Sequence, residues 1–183
     1  MNWFIPFNQL TSEQQKIVGL GTEVNRVLFG GPGSGKTIIL LHRTYYLHKV
    51  KHIPTDKIHI FVYNNTLLSF IQSGLLALGL DPSMASTLDS WCYHYYQSSI
   101  GKKIPRMEDS TSPDFNEIRK QVYHKITSMN SFPRYEAVMV DEGQDLDEIC
   151  YRIFLRLSKH TTVACDYKQQ IYEIEESQEN LLT

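Results

Sequence analysis

Gly30-Gly-Pro-Gly-Ser-Gly-Lys-Thr37 fits the spacing GxxxxGK[ST], and its flanks decide the fold that carries it. The run before it, Arg26-Val-Leu-Phe29, reads as a short buried strand, and Ile38 to Val50 reads as a helix. A glycine-rich turn from strand to helix aims several backbone N–H groups at one point. The positive end of the helix dipole adds to them. Such a loop binds phosphate. Gly31, Pro32, Gly33, Ser34 and Gly35 form the cradle, Lys36 reaches the β- and γ-phosphates, and the Thr37 hydroxyl binds Mg²⁺.

Outward from the loop, helix and strand signals alternate. Ser12 to Leu20 reads as a short helix with Ser12 as its N-cap. Ile58 to Tyr63 is a second strand, Leu67 to Leu78 an apolar helix, and Met84 to Thr87 a short third strand. Leu88 to Ser98 reads as a helix carrying Trp91, Tyr93, Tyr95 and Tyr96. Such a cluster either stacks bases or packs in the core, and core packing is the commoner outcome for Trp91. Gly101 to Pro113 is a polar loop, Phe115 to Thr127 a helix, Tyr135 to Val140 a strand, Leu146 to Leu157 a helix and Thr161 to Cys165 a strand. This alternation predicts an α/β fold with a mostly parallel sheet flanked by helices. His48 and His52 stand four apart, but no third ligand is near, so they read as charge at a helix end.

A chain of 183 residues fits one domain with a real core. A net charge of −2 excludes a chain that binds nucleic acid by overall charge, although a local basic stripe remains open. Three widely spaced cysteines, Cys92, Cys150 and Cys165, show no metal spacing and suit a reduced, cytoplasmic protein. No apolar run is long enough to span a membrane, and Met1-Asn-Trp-Phe-Ile-Pro6 lacks the basic and apolar regions of a signal peptide.

An ATPase also needs a carboxylate for Mg²⁺ and a base that orients water. Ala137-Val-Met-Val140 delivers Asp141-Glu142 at the C-terminal edge of a strand, where ligands bind in open α/β sheets. Asp141 is the candidate Mg²⁺ partner and Glu142 the candidate general base. An acidic pair after a strand is a weak signal alone and a strong one about one hundred residues after a phosphate loop.

The wider stretch Asp141-Glu-Gly-Gln-Asp145 resembles the Walker B motif of the UvrD/Rep family of superfamily 1 DNA helicases. Leu10 to Val18 is similar to the family's Q motif, which implies that Gln14 contacts adenine. Val27 to Leu47, with His42-Arg43, resembles its first motif. Val62 to Leu67 and Ser86 to Cys92 resemble motifs Ia and Ib, which implies single-stranded DNA contacts at Tyr63, Asn64 and Ser90. Asp166-Tyr-Lys-Gln-Gln-Ile-Tyr172 resembles motif III, which implies that Gln169 senses the γ-phosphate and that Tyr172 lies near the DNA path. The resemblance runs from about residue 8 to 174 and implies a single RecA-like ATP-binding domain over 1–174. Its phosphate loop is 30–37, its Walker B strand 137–142 and its motif III 161–172, with an acidic, frayed tail over 175–183. The implied catalytic residues are Lys36, Glu142 and Gln169, and the implied cofactors are ATP and Mg²⁺.

The departures are as informative. Ile38 stands where the family often has an arginine that stacks on adenine, and Ile174 where it often has an aromatic. Asp89 replaces a frequent histidine, and Cys165 a glycine. Fewer than about fifty residues separate motif Ib from Walker B, so the family's inserted 1B domain is nearly absent. The sequence ends at Thr183, so a second RecA-like domain is expected from elsewhere, in cis or in trans. Arginines from such a partner are worth about 10³ to 10⁵ in rate in GTPases. Alone, the chain is expected to be a slow ATPase that does not unwind DNA. The alternative is a stand-alone ATP-dependent switch or partner subunit without a motor. In RecA-like sheets the motif III strand lies between the phosphate-loop strand and the Walker B strand. A strand from beyond motif III usually covers the other side of the phosphate-loop strand; without it that strand becomes an edge, which a partner or the apolar segment Trp3 to Phe7 is expected to cover.

Overall fold

A computed structural model describes residues 4–108, 111–130 and 134–166. The strands are β1 (Arg26–Phe29), β2 (Ile58–Val62), β3 (Ala85–Thr87), β4 (Tyr135–Val140) and β5 (Ser158–Cys165). The helices are α1 (Ser12–Val18), α2 (Lys36–Lys49), α3 (Asn65–Ala77), α4 (Leu88–Tyr95), α5 (Phe115–Thr127) and α6 (Glu148–Leu157). All strand pairs are parallel, in the order β1-β5-β4-β2-β3. The chain steps outward from β1 to β2 to β3 through α2 and α3, then turns back to β4 and β5 through α4, α5 and α6. Right-handed crossovers therefore put the two sets of helices on opposite faces.

The alternating strand residues serve these two faces. Ala137 and Met139 of β4 join Ile58, Ile60 and Val62 of β2 against Leu40, Leu41 and Leu47 of α2 and Ile71 and Leu75 of α3. Val138 and Val140 join Phe61 and Val163 against Cys92, Ile118, Val122, Ile153 and Phe154 on α4, α5 and α6. Both faces are buried, so the strands read as continuous apolar runs. Each fully buried Leu or Ile contributes about 1.5–3 kcal/mol. Trp91 belongs to the second cluster. It stacks on Tyr95 at 5.1 Å, meets Phe61 edge-on and donates to the Tyr135 hydroxyl at 3.0 Å. Tyr95 and Tyr96 belong to the core, and Trp91 and Tyr93 pack against it partly buried.

Local signals set the element ends. Thr11, not Ser12, caps α1: its hydroxyl accepts from Gln14 N and the Gln14 side chain accepts from Thr11 N, a complete capping box. Asp147 caps α6 by accepting from Cys150 N, so the helix starts at Glu148 rather than Leu146, and Gly143–Asp145 forms a 3₁₀ turn before it. After α4 the chain widens into a π turn over Tyr96–Ile100 and stops at Gly101, where φ is 67°.

The motif III strand β5 lies between β1 and β4, as the sequence implies, and β1 is an edge strand whose described partner is β5 alone. Among the described residues, Phe4 to Phe7 adds no strand to that edge. Trp3 lies outside the described residues. Phe4 and Phe7 pack their rings on His42 of α2, at 5.0 and 5.8 Å, and His42 Nε2 donates to the Ile5 carbonyl at 2.8 Å. Aromatic rings gain more from the apolar channel beside α1 and α2 than from a backbone edge, and Pro6 has no N–H to donate to one.

Candidate nucleotide site

The register fixes the site. Phe29 pairs with Cys165 and Val140 with Val163, so the ends of β1, β5 and β4 reach one edge together. Gly30 N donates to the Cys165 carbonyl at 3.3 Å, which holds the start of the phosphate loop to β5. Gly33 and Gly35 take φ of 75° and 84°, left-handed values that glycine adopts without a Cβ penalty. Gly35 is the N-cap of α2 and offers no side chain, so the first-turn N–H groups of α2 stay available to an anion.

Lys36 turns back over the loop, donating to the Gly30 carbonyl at 2.8 Å and the Gly31 carbonyl at 3.2 Å. Its ammonium is thus held inside the cradle. The Thr37 hydroxyl donates to Asp141 Oδ2 at 2.6 Å across 104 residues of sequence. Asp141 is fully buried. Burial pushes its carboxyl up to about 6, the Thr37 hydrogen bond pulls it down, and the charge of Glu142 raises it again. Two hard oxygen donors at this distance fit Mg²⁺, which takes one or two protein oxygens and keeps its waters. Among the described residues no cluster of His, Cys, Asp or Glu offers another metal site. His48 Nδ1 instead donates to the Ile53 carbonyl at 2.9 Å.

Glu142 follows with φ 55°, a left-handed conformation costing a non-glycine residue about 1–2 kcal/mol. Gln144, which the sequence reading passed over, supports it. Its Nε2 donates to Glu142 Oε2 at 2.6 Å, and its Oε1 accepts from Asp166 N at 2.9 Å. One side chain thus ties the candidate base to the end of β5. The signal was present in the spacing Asp141-Glu-Gly-Gln144. Gln14 approaches from α1, where its Nε2 donates to the Ser34 carbonyl at 3.0 Å. Its amide holds the loop as well as capping α1. Ile38 is buried in a cluster with Leu10, Val18 and Ile39. Gln169 and Tyr172 lie outside the described residues.

Tyr63, Asn64 and Ser90 come together at the C-terminal ends of β2 and β3, lining a cleft of about 610 Å³ with Asp89, Tyr93 and His94. The Asn64 side-chain oxygen accepts from Leu67 N at 2.9 Å, so it is spent on capping α3. Asp89 pairs with Arg119 of α5 at 2.6 Å. A larger cavity, about 910 Å³, adjoins this cleft through Ser90 and His94 and extends to Ile58 and Tyr135, at the starts of β2 and β4. No phosphate-loop residue lines it, and ligands of open α/β sheets bind at the carboxyl ends of the strands. No described helix is long and apolar enough to cross a membrane.

A family model described as an AAA domain matches residues 14–175, most of the chain. No curated protein matches it.

Proposed function

Since the chain belongs to this AAA-domain family, as a superfamily 1 helicase-like P-loop domain, we propose that it is the ATP-binding and ATP-hydrolysing N-terminal domain of a UvrD-like DNA helicase or translocase. The observation that carries this reading is the 2.6 Å contact of Thr37 with Asp141, with Glu142 next in the chain. It joins the phosphate cradle to the acidic end of β4 in one crevice. Thr37 and Asp141 would hold Mg²⁺, which would offset the negative charge of the nucleotide's phosphates. Lys36 binds the same phosphates. Glu142, oriented by Gln144, takes the proton of the attacking water. These groups form one wall of the site. The arginines of the opposite wall come from a second RecA-like domain, and single-stranded DNA follows the cleft at Tyr63, Asn64 and Ser90.

One observation favours a second reading, an ATP-dependent switch or partner subunit without a motor. One face of Trp91 stacks on Tyr95, the oxygen of Asn64 caps α3 and the carboxylate of Asp89 pairs with Arg119, all within the domain. Steady-state ATPase with and without single-stranded DNA separates the two, since only a translocase is stimulated. Glu142→Gln should keep Mg-ATP binding and lose turnover by about 10²–10⁴-fold, and Lys36→Ala should lose binding. Equal turnover in Glu142→Gln and the unaltered chain would refute the role of Glu142. Unwinding by the chain alone would refute the division into two walls.

A further inference from the structure

Arg43 of α2 is fully buried, yet none of its described hydrogen bonds goes to a carboxylate. Nη1 donates to the carbonyls of Ile17, Val18 and Leu20 at 3.4, 3.2 and 2.7 Å. Nη2 donates to the Gly21 carbonyl and to His160 Nε2, both at 3.0 Å. Nε donates to the Thr162 hydroxyl at 3.2 Å. The last carbonyls of a helix have no partners within it, and they form its negative pole. Arg43 therefore serves as the C-terminal cap of α1. Burial and the neighbouring Arg43 hold His160 down to about 4, so the ring stays neutral and accepts.

The same residue reaches both supports of the phosphate loop. At its far end α1 presents Gln14, whose Nε2 holds the Ser34 carbonyl. A seven-residue helix is about 10 Å long and rigid at that length. On the other side, Thr162 lies on β5, three residues before the Cys165 carbonyl that anchors Gly30 N. We infer that Arg43 is a positioning residue of the nucleotide site, fixing α1 so that Gln14 grips the Ser34 carbonyl and sets the shape of the phosphate loop. This rests on the nucleotide-binding reading above.

A lysine keeps the charge but is a point donor on a flexible stem, and it cannot span carbonyls that a planar fork reaches together. Arg43→Lys, Gln14→Ala and the double variant would be titrated with a fluorescent ATP analogue and with inorganic tripolyphosphate, beside thermal unfolding of each. Each single variant should lower both affinities roughly three- to tenfold, the worth of about one hydrogen bond. The double variant should be no weaker than Arg43→Lys alone, because both changes release the same contact. A purely structural Arg43 lowers the melting temperature without that coupling. Wild-type affinity in folded Arg43→Lys, or losses that multiply in the double variant, would overturn the inference. Should Arg43→Lys lack a cooperative transition, Arg43→Gln, which keeps two amide donors, is titrated in its place with the same expectations. If the unaltered chain binds neither probe, the nucleotide-binding reading itself fails.

Discussion

Gly143→Ala isolates the packing beneath the candidate base. A Cβ on Gly143 would stand 2.3 Å from Val163 Cγ1, 3.0 Å from Cys165 Sγ and 3.0 Å from the Tyr151 hydroxyl. Carbon atoms in contact sit at about 3.5–4.0 Å, so the methyl intrudes on Val163 by roughly 1.2 Å or more. None of the three neighbours retreats easily. Val163 and Cys165 lie on β5, held between β1 and β4. Tyr151 donates to the Gly143 carbonyl at 2.6 Å and loses that bond if it moves. Overpacking of this kind costs about 1–3 kcal/mol, against a total stability of about 5–15 kcal/mol. Val163→Ala alone should cost about 1–3 kcal/mol through the cavity it leaves. The two together should cost less than their sum, by about 1 kcal/mol or more, because the space one removes is the space the other needs. Urea unfolding of the four proteins measures this directly. A Gly143→Ala variant within about 0.5 kcal/mol of the parent, or strict additivity in the double variant, would refute the reasoning.

Two further outcomes are expected. His59 and His160 are held down to about 3 and about 4 by burial, from an ordinary 6.5. The folded state thus disfavours their protonation, and their stabilisation is full above about pH 6.5 and lost as pH falls toward 3. At about 1.4 kcal/mol per unit the loss amounts to several kcal/mol. Urea midpoints should fall steeply below pH 6.5, and a midpoint that is flat down to pH 4 would count against it. Arg119 joins Asp89 of α4 at 2.6 Å and Asp147, the cap of α6, at 3.7 Å from its place on α5. Arg119→Ala should cost about 1–3 kcal/mol, between the values for exposed and buried pairs. Since it also frees the Asp89 carboxylate in the cleft, the single-stranded DNA binding proposed for that cleft should weaken, which filter binding would report.

What the sequence made legible was local or carried on one element. The phosphate loop declares itself because strand, turn and helix are contiguous. Asp141 and Glu142 declare themselves because an apolar run ends on them. The cap of α1 was legible too: Thr11-x-x-Gln14 spells a capping box, although Ser12 drew the first reading. The two grips of Gln144 were not, because Asp166 reaches it only once β5 has been laid beside β4. Nor were the partners of Arg43, which lie up to 119 residues away. Its hint was a cation set among apolar residues of one helix. The Trp3 to Phe7 segment showed its apolarity but not which surface would take it. An aromatic ring has no preference between surfaces until their shapes exist.

The phosphate loop hangs from an edge strand of the sheet. Among the described residues β1 has one neighbour, and Phe29 at its end is 53% exposed. Half of its amides face away from β5, so local opening there needs less than opening of the central strands. Ligand held by the loop then stabilises β1 by a free energy that rises with the logarithm of its concentration over the dissociation constant. Deuterium uptake at Arg26 to Phe29 becomes a meter of occupancy. It should be fast in the free protein and slow when nucleotide is bound, while β4, sheltered on both sides, exchanges at the same rate in each until the whole domain opens.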